Sequence, residues 1–324
     1  MKKILVLHTG GTIAMSEDHQ TGAVTTTGLN PLLHQQLQFD EDTQLIIEDF
    51  LQLPSPYMTP SYMLLIKERI LTGIDEGITG VVITHGTDTL EETAYFLDVT
   101  IGDRIPIVLT GAMRSSNEIG ADGLYNYQTA IRVASCDESI GKGTLVVMND
   151  EIHTARYVTK THTTNVATFR TPTFGPIGLV TKQHITFYQQ LIEHHCLNIE
   201  SVNGTIPIIK AYAGLGDSLF PMILGSNIDG LVIEALGAGN LPPETLPALD
   251  HLLEKNIPVV LVSRCFNGVV EGVYDYDGGG RQLEKKGVIF CNGLNSQKAR
   301  LKLLVGLNAG LDDKQLYDFL VEYV

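Results

Sequence analysis

Two segments rich in threonine and glycine could support chemistry at a hydroxyl group. The apolar run 5–7 leads into TGGTIA at 9–14, and the apolar run 81–83 leads into HGTDT at 85–89. In open parallel sheets ligands bind beyond the carboxyl ends of the strands, so the two loops could face one pocket. Each segment taken alone also fits an ordinary tight turn followed by a helix cap.

A third segment, VTKTHTT at 158–164, places Lys160 among hydroxyl groups. A threonine hydroxyl is a poor nucleophile until a base removes its proton, and a lysine can be that base when its surroundings favour the neutral amine. A solvated surface lysine is the alternative interpretation. The glycine spacing matches neither a dinucleotide fingerprint nor a P-loop, and no metal-ligand cluster is visible, so we expect no cofactor and no metal.

Several segments taken together resemble the signature blocks of the bacterial L-asparaginase family, in the family's order. They are TGGTIA at 9–14, HGTDT at 85–89, GAMR at 111–114 and KT at 160–161, and LNSQKAR at 294–300 resembles the family's closing helix. The resemblance implies an amidohydrolase that converts L-asparagine to L-aspartate and ammonia, with minor glutaminase activity possible.

The resemblance also implies roles for four catalytic residues. Thr12 would attack the amide carbon and form an acyl-enzyme, from which ammonia leaves before water releases aspartate. Thr87, Asp88 and Lys160 would form a second group of hydroxyl, acid and base that handles protons.

An amino-acid substrate brings an ammonium, a carboxylate and an amide, so its pocket needs a fixed anion, several donors and a site for an oxyanion. Asp88 is the natural acceptor for the ammonium. The remaining candidates for substrate binding are Gly11, Ser55, Pro56, Gly86, Ala112 and Asn240. In the family, an asparagine in the block that Asn240 resembles comes from a neighbouring subunit, which implies a homodimer or a homotetramer.

The sequence departs from the secreted members of the family at two places. Those members carry a tyrosine in the loop after the first threonine, whereas residues 15–27 contain none and the matching place falls near Ala23-Val24. Tyr57, Tyr274 or Lys160 through a water are the candidates for activating Thr12. At the second place proline follows Ser55 instead of glutamine, which removes side-chain hydrogen bonds and favours the cytoplasmic branch.

The elements that would position these residues alternate between strands and helices. Apolar runs typical of strands occupy 3–8, 44–48, 80–84, 105–109 and 144–148, and Thr59-Pro60 and Asp88-Thr89 begin helices, the second with capping-box partners Glu91 and Glu92. This alternation predicts an α/β fold of two domains. The larger N-terminal domain, 1–185, has a parallel, flavodoxin- or Rossmann-like sheet with helices on both faces. A linker, 186–205, and a smaller α/β domain, 206–324, follow, with 275–280 read as a hairpin-like segment.

Composition narrows the class of protein. With 22 Lys and Arg against 37 Asp and Glu, the formal charge of -15 disfavours binding to nucleic acid or to an anionic membrane surface. Four scattered cysteines fit free thiols in a reducing compartment, and no signal peptide is visible, so we expect a cytoplasmic protein. Two other functions stay open, an ammonia-releasing subunit of a tRNA-dependent amidotransferase and a non-catalytic amino-acid-binding protein.

Overall fold

The computed structural model describes residues 1–18, 20–25, 30–34, 42–192, 195–216, 223 and 225–321. The chain divides into two compact units, Met1–Cys196 and Leu197–Val324. The division falls inside the stretch 186–205, and the role of that stretch as a linker stays a prediction. Among the described residues, no helix combines the length and the apolar character needed to cross a bilayer.

The first unit is built around an eight-stranded sheet, counted over the described residues, in the order β12-β11-β8-β7-β6-β5-β1-β4. Its strands, with the short pairs β2–β3 and β9–β10, are β1 Lys2–His8, β2 Ser16–Glu17, β3 Val24–Thr25, β4 Thr43–Asp49, β5 Gly80–Thr84, β6 Ile107–Thr110, β7 Thr144–Met148, β8 Glu151–Thr154, β9 Thr159–Lys160, β10 Phe169–Arg170, β11 Gly178–Val180 and β12 Ile185–Phe187. Its helices are α1 Pro60–Asp75, α2 Leu90–Ile101 and α3 Gly123–Ala134.

The expectation of a parallel sheet is correct for β4, β1, β5, β6 and β7 and wrong for the remaining three strands. Strand β8 runs antiparallel to β7, and β11 and β12 continue that antiparallel edge. The reversal follows from a two-residue turn in which Asn149 and Asp150 both have positive φ, 51° and 67°. Asparagine and aspartate tolerate this conformation, which is the one that a tight hairpin requires.

Helices cover both faces of this sheet, as predicted. Tyr127 and Ile131 of α3 belong to the same buried cluster as Ile4 and Val6 of β1. On the opposite face, a Cβ atom built on Gly73 of α1 would lie 3.3 Å from Leu5. Successive strand residues point to opposite faces, so β1 is packed on both of its faces. The loop that leads to Thr12 therefore begins at the end of a well-packed strand.

The helix starts were predicted with mixed success. Helix α1 begins at Pro60 and its cap residue Thr59 accepts a hydrogen bond from the Tyr62 N–H, as expected. Helix α2 begins at Leu90, but the predicted capping box is wrong, since the Thr89 side chain makes no capping bond. Its hydroxyl donates instead to the Ser55 carbonyl oxygen at 2.8 Å, which ties the start of α2 to a neighbouring loop.

The second unit has a parallel four-stranded sheet, counted over the described residues, in the order β13-β14-β15-β16. Its elements are β13 Ile208–Lys210, β14 Leu231–Ala235, α4 Leu246–Glu254, β15 Val259–Ser263, α5 Gly280–Lys285, β16 Ile289–Phe290, α6 Ser296–Asn308 and α7 Asp313–Val321. The expectation of a hairpin at 275–280 is wrong. Those residues form a turn at Asp277-Gly278 that leads directly into α5.

Candidate active site

Three loops of the first unit leave the sheet side by side. The register pairs His8 of β1 with Thr84 of β5, and Thr84 with Thr110 of β6. The loops that follow these three strand ends begin at Thr9, His85 and Gly111. They therefore emerge together at the carboxyl edge of the parallel strands, where ligands bind in sheets of this kind.

Glycines allow two of these loops to touch at the backbone level. Gly11 has φ +84°, and a Cβ atom built on it would overlap the backbone of Gly86. A Cβ atom built on Gly86 would lie 2.6 Å from Cβ of Ser55. Any side chain at either position would force the loops apart. The two glycines thus bring Thr12 and Thr87, their next neighbours in the chain, onto adjoining turns.

Thr12 is the first residue of a one-turn 3-10 helix, Thr12–Ala14, and is partly exposed. The turn is closed by bonds from the Ala14 N–H to the Gly11 carbonyl and from the Met15 N–H to the Thr12 carbonyl. Ile13 anchors it, because this side chain is 2% exposed and lies in the same apolar cluster as Ala112. Thr12 therefore lies on a turn whose next side chain, that of Ile13, is packed in the core.

Thr87, Asp88 and Lys160 form one hydrogen-bonded group. The Lys160 ammonium donates to Thr87 Oγ1 at 2.9 Å and to Asp88 Oδ1 at 2.7 Å. Thr87 is 7% exposed, whereas the Asp88 side chain is 58% exposed. The structure thus brings together three of the four predicted catalytic residues, across 72 and 73 positions of sequence. The Asp88 carboxylate therefore faces solvent, whereas the Thr87 hydroxyl is enclosed.

A short hairpin presents Lys160 to this group. Lys160 of β9 pairs with Phe169 of β10, and Phe169 is 2% exposed. The Thr161 N–H and hydroxyl both donate to the Thr168 carbonyl, at 2.8 and 2.7 Å. The lysine is therefore held by a structured strand pair rather than by a solvated loop, and its role as a base stays a prediction.

Ser55 supports the Thr87–Asp88 turn directly. Its hydroxyl accepts a hydrogen bond from the Asp88 N–H at 3.2 Å, and Ser55 is 6% exposed. Pro56 follows it in the 3-10 helix Ser55–Tyr57 and is exposed. Contact of Ser55 or Pro56 with a substrate carboxylate stays a prediction, but the serine has a second, structural task that the sequence did not indicate.

A buried histidine, His85, holds the same turn through its hydrogen bonds. His85 Nδ1 donates to the Gly86 carbonyl at 2.7 Å, and His85 Nε2 accepts from the Thr93 hydroxyl at 2.9 Å. Burial lowers the pKa of His85 to about 4, so the ring is neutral at pH 7 and can donate through one nitrogen and accept through the other. This neutral imidazole locks the position of the Gly86 carbonyl.

The third loop is held by the cap residue of α3, Asp122, and by a side chain of the helix itself. The Asp122 carboxylate accepts from the N–H groups of Met113 and Arg114, at 3.1 and 3.0 Å, and the Asn126 amide donates to the Gly111 carbonyl at 3.0 Å. Ala112, between them, is 1% exposed. The loop is thus rigid. Its use as an oxyanion site stays a prediction.

Asn240 lies in the second unit. Its side-chain oxygen accepts a hydrogen bond from the Gly280 N–H at 3.1 Å, at the start of α5. Its backbone forms a bridge to Leu236. Asn240 therefore organises a turn within its own unit, and its proposed contribution to a pocket stays a prediction.

The sequence did not single out Glu91 as part of the site. Its carboxylate Oε2 accepts a hydrogen bond from the backbone N–H of Lys160 at 2.8 Å. Glu91 is 4% exposed. Its position in the first turn of α2, three residues after Asp88, was the available signal.

A lysine bonded to both a threonine hydroxyl and an aspartate, at the carboxyl edge of a parallel sheet, supplies the components of an enzyme that transfers acyl groups. Comparison with known proteins identifies the family within this class. Residues 3–193 match the model "Asparaginase, N-terminal" and residues 205–320 match "Glutaminase/Asparaginase C-terminal domain". The chain belongs to the asparaginase family.

Relatives match over almost the full chain. The L-asparaginase of Bacillus licheniformis is 35% identical over 321 residues, which cover 98% of this chain and 99% of that protein. The probable L-asparaginase of Deinococcus radiodurans is 38% identical over 96% of this chain and 94% of its own length. The crystal structure of a probable cytoplasmic L-asparaginase from Campylobacter jejuni covers 100% of both chains with a TM-score of 0.87 and 34% identity.

Proposed function

We propose that this protein hydrolyses the side-chain amide of L-asparagine to L-aspartate and ammonia through an acyl-enzyme on Thr12. The observation that carries the proposal is the bonding of one ammonium, that of Lys160, to both Thr87 Oγ1 and Asp88 Oδ1. Thr12 stands on the adjoining turn, where the Gly11 and Gly86 backbones touch. The names of the full-length relatives support the choice of substrate.

The first half-reaction transfers the acyl group to Thr12. The Thr12 oxygen forms a bond to the amide carbon while its proton passes through the Thr87 hydroxyl to the neutral amine form of Lys160. The C–N bond then breaks, and the departing nitrogen takes up that proton and leaves as ammonia. Lysine serves as a base only in its unprotonated form, since the ammonium has no acceptor.

The second half-reaction reverses the proton path. Water gives a proton to the Thr87–Lys160 pair and attacks the ester carbon, and the Thr12 oxygen recovers a proton as aspartate leaves. The same residues act as base and then as acid, as two-step acyl transfer requires. Backbone N–H groups near Gly11 and Ala112 are the candidates for holding the oxyanion in both steps.

Charged and polar groups of the site would orient the substrate. Asp88, with its side chain 58% exposed beside Lys160, is the carboxylate for the substrate ammonium, and the N–H groups of the Gly86-Thr87 turn suit the substrate carboxylate. Glutamine is longer by one methylene group, which a pocket discriminates by only about 1–3 kcal/mol, so a minor glutaminase activity accompanies the main one. We further propose that the protein works in the cytoplasm as a homodimer or homotetramer, with Asn240 completing a neighbouring subunit's pocket.

The test is ammonia release from free L-asparagine by purified protein, with no RNA and no second protein present. Equimolar aspartate and ammonia are expected, and Lys160→Met should lower turnover by at least about 10²-fold. Dependence on RNA or on a partner protein would favour an amidotransferase subunit. Binding of asparagine without any release of ammonia would favour a binding protein, and either result would overturn the proposal.

A further inference from the structure

The side chain and the backbone of Lys160 are both bonded to residues at or just before the start of α2. Its ammonium donates to Asp88 Oδ1 at 2.7 Å, and its backbone N–H donates to Glu91 Oε2 at 2.8 Å. Asp88 and Glu91 are three residues apart at the start of α2. Asp88 lies just before the cap residue Thr89 and Glu91 lies in the first turn of α2, and the carboxylates of both residues are bonded to Lys160 of β9.

The burial of Glu91 sets it apart from an ordinary residue of a helix start. It is 4% exposed, and a carboxylate taken out of water is costly unless hydrogen bonds satisfy it. The N-terminal end of α2 favours a negative charge, and the Lys160 N–H supplies a donor. The sequence alone explained Glu91 as a capping partner, yet the Thr89 side chain makes no capping bond.

We propose that Glu91 is a positioning residue for the reaction, because it fixes the backbone of Lys160 so that the ammonium reaches Thr87 and Asp88 together. The inference rests on the proposed role of Lys160 in proton transfer. Lys160 has a long, flexible side chain, and β9 contains only Thr159 and Lys160. With the carboxylate removed, the strand loses one attachment to α2 and the amine moves away from Thr87.

The variants Glu91→Gln and Glu91→Ala separate the hydrogen bond from the charge. Glutamine keeps a carbonyl oxygen that can accept from the Lys160 N–H, and alanine does not. We expect kcat within about threefold of the natural protein for Glu91→Gln and a loss of at least about tenfold for Glu91→Ala, since a displacement of ~1 Å at a catalytic group can cost up to ~10²-fold. KM should change less than kcat, because the substrate's ammonium still meets Asp88.

The matched control is Glu92→Ala, which removes the adjacent carboxylate of the same helix turn and should leave kcat within about twofold. All rates are taken at a temperature where circular dichroism shows each variant fully folded, so loss of stability is not read as loss of kcat. Hydrogen exchange of the backbone amide of Lys160 gives a direct readout. It should be faster in Glu91→Ala than in Glu91→Gln and unchanged in Glu92→Ala.

Two results would overturn the inference: natural kcat in Glu91→Ala, or equal losses in the glutamine and alanine variants. Failure of the proposed function looks different. If Lys160→Met keeps natural turnover, the role of Lys160 is wrong whatever Glu91 does. If Lys160→Met loses at least about 10²-fold while Glu91→Ala is fully active, the proposed function stands and the positioning role alone is wrong.

Discussion

The two threonine turns have a similar local plan and different surroundings. Each follows a strand that ends near a buried histidine, His8 before the Thr12 turn and His85 before the Thr87 turn, and burial lowers the pKa of both imidazoles to about 4. Thr87 is 7% exposed and already accepts a hydrogen bond from Lys160. Thr12 is partly exposed on a 3-10 turn that Ile13 anchors.

This difference suggests that the two threonine hydroxyls have different roles in the reaction. A buried hydroxyl within hydrogen-bond reach of a lysine can pass a proton to the neutral amine form of that lysine, but it is poorly placed to meet a substrate. A hydroxyl on a partly open, anchored turn can approach an amide carbon. The fold alone would not separate the two roles, since both turns leave neighbouring strands of one sheet. The side chains around the two turns differ, and the following predictions test whether the proposed roles differ with them.

The largest effect should come from Thr12→Ala, which removes the attacking oxygen. We expect kcat to fall by at least about 10²-fold with the fold intact, and Thr12→Ser to retain most of the activity because it keeps a hydroxyl. Steady-state ammonia release measures both. Near-natural kcat in Thr12→Ala would mean that the division between the two turns is assigned the wrong way round.

A smaller effect, mainly on binding, should follow from Asp88→Asn. The neutral amide no longer attracts the substrate ammonium, so KM should rise by at least about tenfold, which corresponds to ~1.4 kcal/mol, and kcat should fall as well because Lys160 loses its ion pair. Kinetics over a range of asparagine concentrations separate the two constants. Asp103→Asn, an exposed carboxylate of the same unit, is the control, and a matching profile for both variants would remove the role of Asp88.

Acid should destabilise the Thr87 turn through His85. As pH falls below 6.5 an unfolded histidine takes up a proton, whereas His85 stays neutral until about pH 4. Unfolding is therefore favoured progressively in that window, by up to about 3 kcal/mol, and is unaffected by this group above pH 6.5. Denaturant unfolding at pH 7 and pH 4.5 should show a smaller loss for His85→Gln than for the natural protein. An equal loss would show that His85 does not stay neutral in the folded protein.

The smallest effect should come from Tyr57→Phe. The tyrosine is 66% exposed and follows Ser55-Pro56 in a 3-10 helix, and in the proposed mechanism the Thr87–Lys160 pair activates Thr12. Turnover should stay within about twofold of the natural value. A drop of about 10²-fold would transfer the activating role to this tyrosine.

The sequence predicted the elements where pattern and local chemistry agree. Strands β5 and β7 match their predicted bounds, and α1 begins at Pro60 after its Thr59 cap. The sequence did not predict strand direction where a local backbone conformation determines it. The antiparallel edge depends on positive φ at Asn149 and Asp150, and apolar runs on either side of a turn do not reveal direction.

The candidate site shows the same limit. Resemblance predicted Thr87, Asp88 and Lys160 as a group, and in the structure the Lys160 ammonium donates to the other two residues, while their catalytic roles stay a prediction. The supports of that group were not predicted. The bonds from the Lys160 N–H to Glu91 and from the Thr89 hydroxyl to the Ser55 carbonyl join segments 69 and 34 residues apart, and residue spacing carries no signal for such distant pairs.

The most direct test of the central claim is to find where the acyl group resides. The protein is mixed with L-asparagine, quenched in acid within milliseconds, digested and mapped by mass spectrometry. We predict an aspartyl ester on the peptide that contains Thr12, absent in Thr12→Ala. An ester on the peptide that contains Thr87, or release of ammonia without any protein-bound ester at any time, would contradict the account.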